Sequence, residues 1–149
     1  MLKPALRYFF LILITSAAPI VIAQSWPLHI TIDRNQAFVS SGDVIVALFN
    51  SEQNFLIEPL LKRVEAIEGR DKIVVTFDGL VQGEYAVSVI FDEDSNGELN
   101  RNKRGMPLEA AGFSQNPKSR FGPPSFAAAA FQHIGPTTQQ IILHRWVKK

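Results

Sequence analysis

The sequence predicts an all-β fold: a single antiparallel β-sandwich with Greek-key connections and one long irregular loop. Three observations carry this expectation. Short runs of β-branched and aromatic residues recur along the chain, several of them alternating apolar and polar with period two. Turn signals such as "SSGD", "NSEQN" and "GRDK" separate the runs. The one ambiguous segment, "FLIEPLLKRVEAIEG", contains Pro59, which forbids a continuous helix interior.

The N-terminal segment is expected to be a secretory signal peptide over residues 1–23. Lys3 and Arg7 form a short basic region, and an uncharged apolar run extends from Tyr8 to Ala23. Val21 and Ala23 are small enough for the −3 and −1 pockets of signal peptidase, which sets the cut before Gln24. A membrane anchor needs roughly 20 apolar residues. This run is shorter and is interrupted by Pro19. No stable membrane insertion is expected once the leader is removed. The chain has no Cys, so disulfides, thiolate metal sites, a Cys nucleophile and a lipid-modified Cys are all excluded. The expected compartment is the periplasm, ahead of the external medium.

Residues 24–149 are expected to form one domain, long enough to bury a sizeable core. Of 15 basic residues, Lys3 and Arg7 lie in the leader, against 14 acidic residues in all. The rest of the chain is therefore close to neutral and has no basic block, which argues against nucleic acid as a partner.

Each strand has its own signature. "LHITI" alternates, with Leu28, Ile30 and Ile32 on one face. "VIVALF", Val44 to Phe49, is apolar on both faces, as expected of a central strand. After Pro59 a strand is expected from Leu61 to Ile67, and "IVVTF" gives another from Ile73 to Phe77. Asp78-Gly79 reads as a turn, and Tyr85, Val87 and Val89 then alternate with Ala86, Ser88 and Ile90. Residues 92–124 read as one long irregular stretch, a kind of loop that is often functional. "SFAAAAF" suits one helical turn with Ser125 as N-cap. "QQIILHRW" reads as the closing strand.

The string "FDGLVQGEYAVSV" resembles a hairpin of transthyretin-like and carboxypeptidase-regulatory-like sandwiches. The expected sandwich is therefore transthyretin-like or immunoglobulin-like. Four further pieces stand in order: "VALFNSEQNF", "FDGLVQGEYAVSVIFDEDSNGELNRN", "GMPLEAAGFSQN" and "FGPPSFAAAAFQ". Together they resemble the bacterial "domain of unknown function 2141" family of exported proteins. The resemblance implies a small exported β-sandwich and supplies no reaction. Where that family's loop reads close to "HDENGNGKLD", this chain has Phe91 for the His and Asn100 for the last Asp.

The sharpest chemical pattern is "DEDSNGELN". Asp92, Asp94, Asn96, Glu98 and Asn100 fall at alternate positions, with Gly97 at the sixth place. An EF-hand loop places oxygen ligands with this spacing around Ca²⁺, with glycine at the sharp turn. Position seven contributes its backbone carbonyl, so Glu98 need not use its side chain. The twelfth place, where a bidentate Glu is needed, is Lys103, so a carboxylate from farther on, such as Glu109, has to complete the shell. The competing reading is a polar turn in which Asp and Asn side chains bond the local backbone.

A second pattern is aromatic. Phe113, Phe121 and Phe126 surround a Gly-Pro-Pro and could line a ligand groove or plug the sandwich end. The histidines His29, His133 and His144 lack metal-ligand spacing. Ser114, Ser119 and Ser125 lack a nucleophile-elbow context. No catalytic signature is present. The expected function is a non-enzymatic binding or interaction module with a calcium loop and no other cofactor. The alternatives are a structural envelope domain docked on another protein, or a hydrolase or lyase built on carboxylates such as Glu93 and Glu109. A small ligand and another envelope protein are the two partner classes.

Overall fold

A computed structural model describes residues 23–33, 41–118 and 122–146. The expected leader up to residue 22, Phe121 and Ser119 lie outside the described residues. The strands are β1 (Ser25–Asp33), β2 (Asp43–Phe49), β3 (Leu61–Ala66), β4 (Lys72–Val81), β5 (Gly83–Asp92) and β6 (Ala110–Phe113). After them come a one-turn helix α1 (Phe126–Ala129), β7 (Phe131–His133) and β8 (Thr137–Ile142). Two sheets pack face to face, one in the order β4-β1-β8 and one in the order β3-β2-β5-β6, with β7 also paired to β5. This is the expected all-β sandwich. The strand pairs are antiparallel except β1 with β8, which is parallel.

The core lies between the sheets and follows the alternation in the sequence. Leu28, Ile30 and Ile32 of β1 meet Val44, Val46 and Leu48 of β2 and Tyr85, Val87, Val89 and Phe91 of β5 in one buried cluster. Tyr85 keeps its hydroxyl at the rim, where it donates to the Val81 carbonyl at 3.1 Å. Burial pushes the Tyr85 phenol above its ordinary 10.0.

Asp78-Gly79 does not turn the chain. β4 runs through both residues, and the register slips so that they stand opposite Pro27 as a β-bulge. Pro27 has no N–H, so the ladder cannot close at that point and the extra residue is tolerated. The chain reverses instead at Gln82, between β4 and β5. The closing strand begins earlier than expected, at Thr137, and among the described residues beyond Ile142 the strand pairing is reduced to an Ala111–His144 bridge.

The stretch from 92 to 124 is not one loop. β6 divides it, although "AAGF" carries almost no strand signal. Tertiary packing selects these small residues. An ideal Cβ on Gly112 would stand 2.6 Å from Ile141 Cγ2 and 2.6 Å from the Ile142 carbonyl oxygen. Only a residue without Cβ lets β6 come this close to β8. Past its end, β6 is tied by Ser114, whose Oγ accepts from the Val87 N–H at 2.9 Å and donates to the Ala129 carbonyl at 2.5 Å. Ser114→Ala leaves the buried Val87 N–H unsatisfied and should cost about 2 kcal/mol. Urea denaturation checks this, and a midpoint equal to that of the unmodified protein would contradict it.

The outer face of the five-stranded sheet is also apolar. Phe49, Phe55, Ala86, Phe113, Phe126 and Ala129 form a second buried cluster there. Phe55 is its centre, with ring centroids 5.2 Å from Phe49, 6.4 Å from Phe113 and 5.7 Å from Phe126. Ser125 caps α1 as expected and so sets Phe126 on this cluster.

Candidate functional site

Two features converge on the β5–β6 connection. The first is the acidic loop. Asp92, the last residue of β5, is 1% exposed, and Glu109, just before β6, is 3% exposed. The pairing of β5 with β6 brings these two ends side by side. Asp92, Asp94 and Glu109 each offer a carboxylate oxygen, and these oxygens lie within 4.8 Å of one another. Three carboxylates this close repel one another, and a cation between them relieves that repulsion. The oxygens are hard donors of the kind Ca²⁺ takes.

The same carboxylates hold the loop's backbone. Asp92 Oδ1 accepts from the Asn96 N–H at 3.1 Å, and Oδ2 accepts from the Gly97 N–H at 2.7 Å. Glu109 Oε1 accepts from the Glu93 N–H and Oε2 from the Asn100 N–H, both at 2.9 Å. Gly97 has a φ of 85°, so the sharp turn at the sixth place sits in the left-handed region that glycine tolerates. Asn100 Nδ2 donates to Asp94 Oδ2 at 2.9 Å, and Asn96 Nδ2 donates to Asn100 Oδ1 at 2.9 Å. Asn96 Oδ1 accepts from the Glu98 N–H at 2.8 Å. The Glu98 carboxylate is exposed and does not join the cluster of three. Glu93 forms an ion pair with Arg145, and Arg145 also donates to the Leu108 carbonyl at 2.7 Å. The C-terminal segment is thereby fastened to the loop.

The histidines stay apart from the acidic cluster. His29 Nδ1 lies 2.9 Å from Thr76 Oγ1, and His133 Nδ1 lies 2.9 Å from Thr137 Oγ1. Among the described residues, the only group of three or more metal-ligating side chains is the carboxylate cluster.

The second feature is a groove of about 800 Å³ on the outer face of the five-stranded sheet. Its floor includes Ile45, Ala47, Ser88, Ile90 and Ala111, neighbours across β2, β5 and β6. The β2–β3 connection contributes Leu56 and Ile57, and the β5–β6 connection contributes Leu99, Met106 and Pro107. Those connections leave opposite ends of the antiparallel β2–β5 pair and flank the floor. Phe113 reaches the groove from the second cluster, whereas Phe126 is buried within that cluster. The aromatic triplet gave little warning of this groove. Its signal in the sequence is the apolar outward face of "VIVALF".

A single all-β sandwich with a carboxylate-rich inter-strand loop defines the class of this protein. Residues 32–141 match the family described as "Uncharacterized protein conserved in bacteria (DUF2141)". The chain belongs to that family. No curated protein and no solved structure matches it.

Proposed function

We propose that this is an exported, non-enzymatic binding module whose Asp92–Asn100 loop holds a calcium ion, with Asp92, Asp94 and Glu109 as the carboxylate ligands. The supporting observation is the convergence within 4.8 Å of carboxylate oxygens from both ends of the β5–β6 connection, Asp92 and Asp94 at its start and Glu109 at its end. Glu109 supplies the acid that Lys103 cannot supply at the twelfth place. Asn96 and Asn100 bring amide oxygens to the same loop, and the Glu98 carbonyl is the seventh-place donor. Export is supported by the basic and apolar leader pattern, and envelope compartments suit a weak calcium site with Kd near ~10⁻⁴–10⁻³ M.

Calcium bound only to the folded form stabilises it by about 2.7 kcal/mol at roughly 100 times Kd. That should raise Tm by on the order of 5 °C. Magnesium should raise it less, because it demands octahedral geometry and dehydrates reluctantly. Asp94 is exposed and carries no backbone N–H bond among those described, whereas Asp92 carries two. Asp94→Ala should therefore remove the calcium shift and change the calcium-free melt little, since it gives up only the exposed Asn100 hydrogen bond. Melts in EDTA and in several millimolar calcium decide the matter. Superimposable curves would mean that the loop is a polar turn.

A further inference from the structure

We infer that the groove on the outer face of the five-stranded sheet binds a single-chain anionic amphiphile of the long-chain fatty-acid class. The inference does not rest on the calcium reading: Gly97 and Leu99 of the acidic loop line the groove, but no carboxylate of the cluster does.

The argument begins with the floor. An antiparallel sheet that faces water on one side normally puts polar residues there. Here Ile45, Ala47, Ile90 and Ala111 stand on the outer face with Ser88 as the one polar side chain among them, and Ile45, Ser88 and Ala111 are already buried at the bottom of the groove. Phe55, Phe113 and Phe126 cover one end of this face, and the β5–β6 connection flanks the other. Ala47, Ser88 and Ala111 are short, so the floor sinks between its walls. Ile57 in one wall is 81% exposed and Met106 in the other is 42% exposed, an arrangement that leaves large apolar surface in water. A groove of about 800 Å³ falls within the range of small-molecule sites.

Charge selects the headgroup. Lys62, Arg101 and Arg104 line the groove, and no Asp or Glu does so among the described residues. The chain as a whole carries 15 basic and 14 acidic residues, so this one-sided rim is a local feature. An anion on an apolar chain matches both parts of the site.

The sheet's hydrogen bonding disfavours a peptide occupant. β2 is paired on both edges, to β3 and β5, and β5 is paired to β2 and β6, so the floor offers side chains and no free ladder. A peptide laid on it would desolvate its own amides without partners, at a cost of roughly 1–3 kcal/mol each. An alkyl chain has no such groups.

The test is calorimetric titration with palmitate below its aggregation concentration, and with hexadecyltrimethylammonium as the cationic counterpart. Both are run in EDTA and in calcium. Palmitate should bind one molecule per chain and more tightly than the cationic probe in both buffers. Lys62→Glu combined with Arg104→Glu changes two exposed side chains, and should weaken palmitate by about tenfold or more while strengthening the cationic probe. Ala47→Phe fills the floor and should weaken both probes. If that variant does not fold, the charge-reversal pair decides alone. Absence of palmitate binding, equal affinity for the two probes, or palmitate affinity unchanged by charge reversal would each overturn the inference. Loss of the calcium-dependent melt with palmitate binding intact would overturn only the calcium reading.

Discussion

Val87→Asp should abolish the folded state at neutral pH. Val87 is fully buried at the middle of β5, opposite Leu48 in the register with β2. Its side chain belongs to the cluster between the sheets, among Ile30, Val46 and Val75. Removing it forfeits about 1.5–3 kcal/mol of apolar burial. A carboxylate in its place has no cation within the cluster, whose one hydroxyl, on Tyr85, is given to the Val81 carbonyl, and an unpaired buried charge costs several kcal/mol more. The sum approaches the whole stability of an ordinary domain, about 5–15 kcal/mol. Val74→Asp is the control, because Val74 is 54% exposed on the other face of β4. It should cost less than about 1 kcal/mol. Circular dichroism and thermal melts read both variants. A Val87→Asp protein that melts like the unmodified one would disprove the strand assignment.

Gly112→Ala should be among the most damaging single-methyl changes. The added carbon would stand 2.6 Å from Ile141 Cγ2, on a stiff β-branched side chain buried in the core, and 2.6 Å from the Ile142 carbonyl, which β8 holds in place. Either β6 moves away from β8 or the β5–β6 ladder distorts. Overpacking of this kind costs about 1–3 kcal/mol, and the backbone contact puts this case at the upper end. A fall in Tm on the order of 10 °C is expected, with an unchanged denaturant slope. Because Glu109 stands just ahead of β6, the strand that Gly112 belongs to, the variant should also weaken any calcium-dependent stabilisation. A melt within a degree or so of the unmodified protein would show that the sheets can part at this point without penalty.

Much of the fold was legible because alternation is a local property. "LHITI", "IVVTF" and "EYAVSV" each announce a buried face, and those faces do meet in the core. Ser125 was legible as an N-cap because capping needs only a side-chain oxygen and the next turn's N–H. The bulge at Asp78-Gly79 was misread as a turn, since both use the same residue types and the difference lies in what Pro27 on another strand cannot donate. β6 was missed because Ala-Ala-Gly-Phe has weak strand propensity, and its pairing is imposed by β5 and the close approach of β8.

The candidate site divides in the same way. The loop's oxygen spacing and the need for a later acid could be read from residues 92–109, because ligand spacing within a loop is a matter of covalent geometry. By itself the sequence determined the strand faces, the absence of cysteine chemistry, the near-neutral charge and the alternating acids of the loop. Only the tertiary structure decided that Asp92, Asp94 and Glu109 converge, because β5 and β6 must pair before their ends can meet. Only the tertiary structure, too, decided that one sheet presents a second apolar face, partly covered by Phe55 and partly left as a cation-rimmed groove. Period-two alternation identifies a strand with one dry side. Which loops fold over the other side is settled by contacts between residues far apart in the chain.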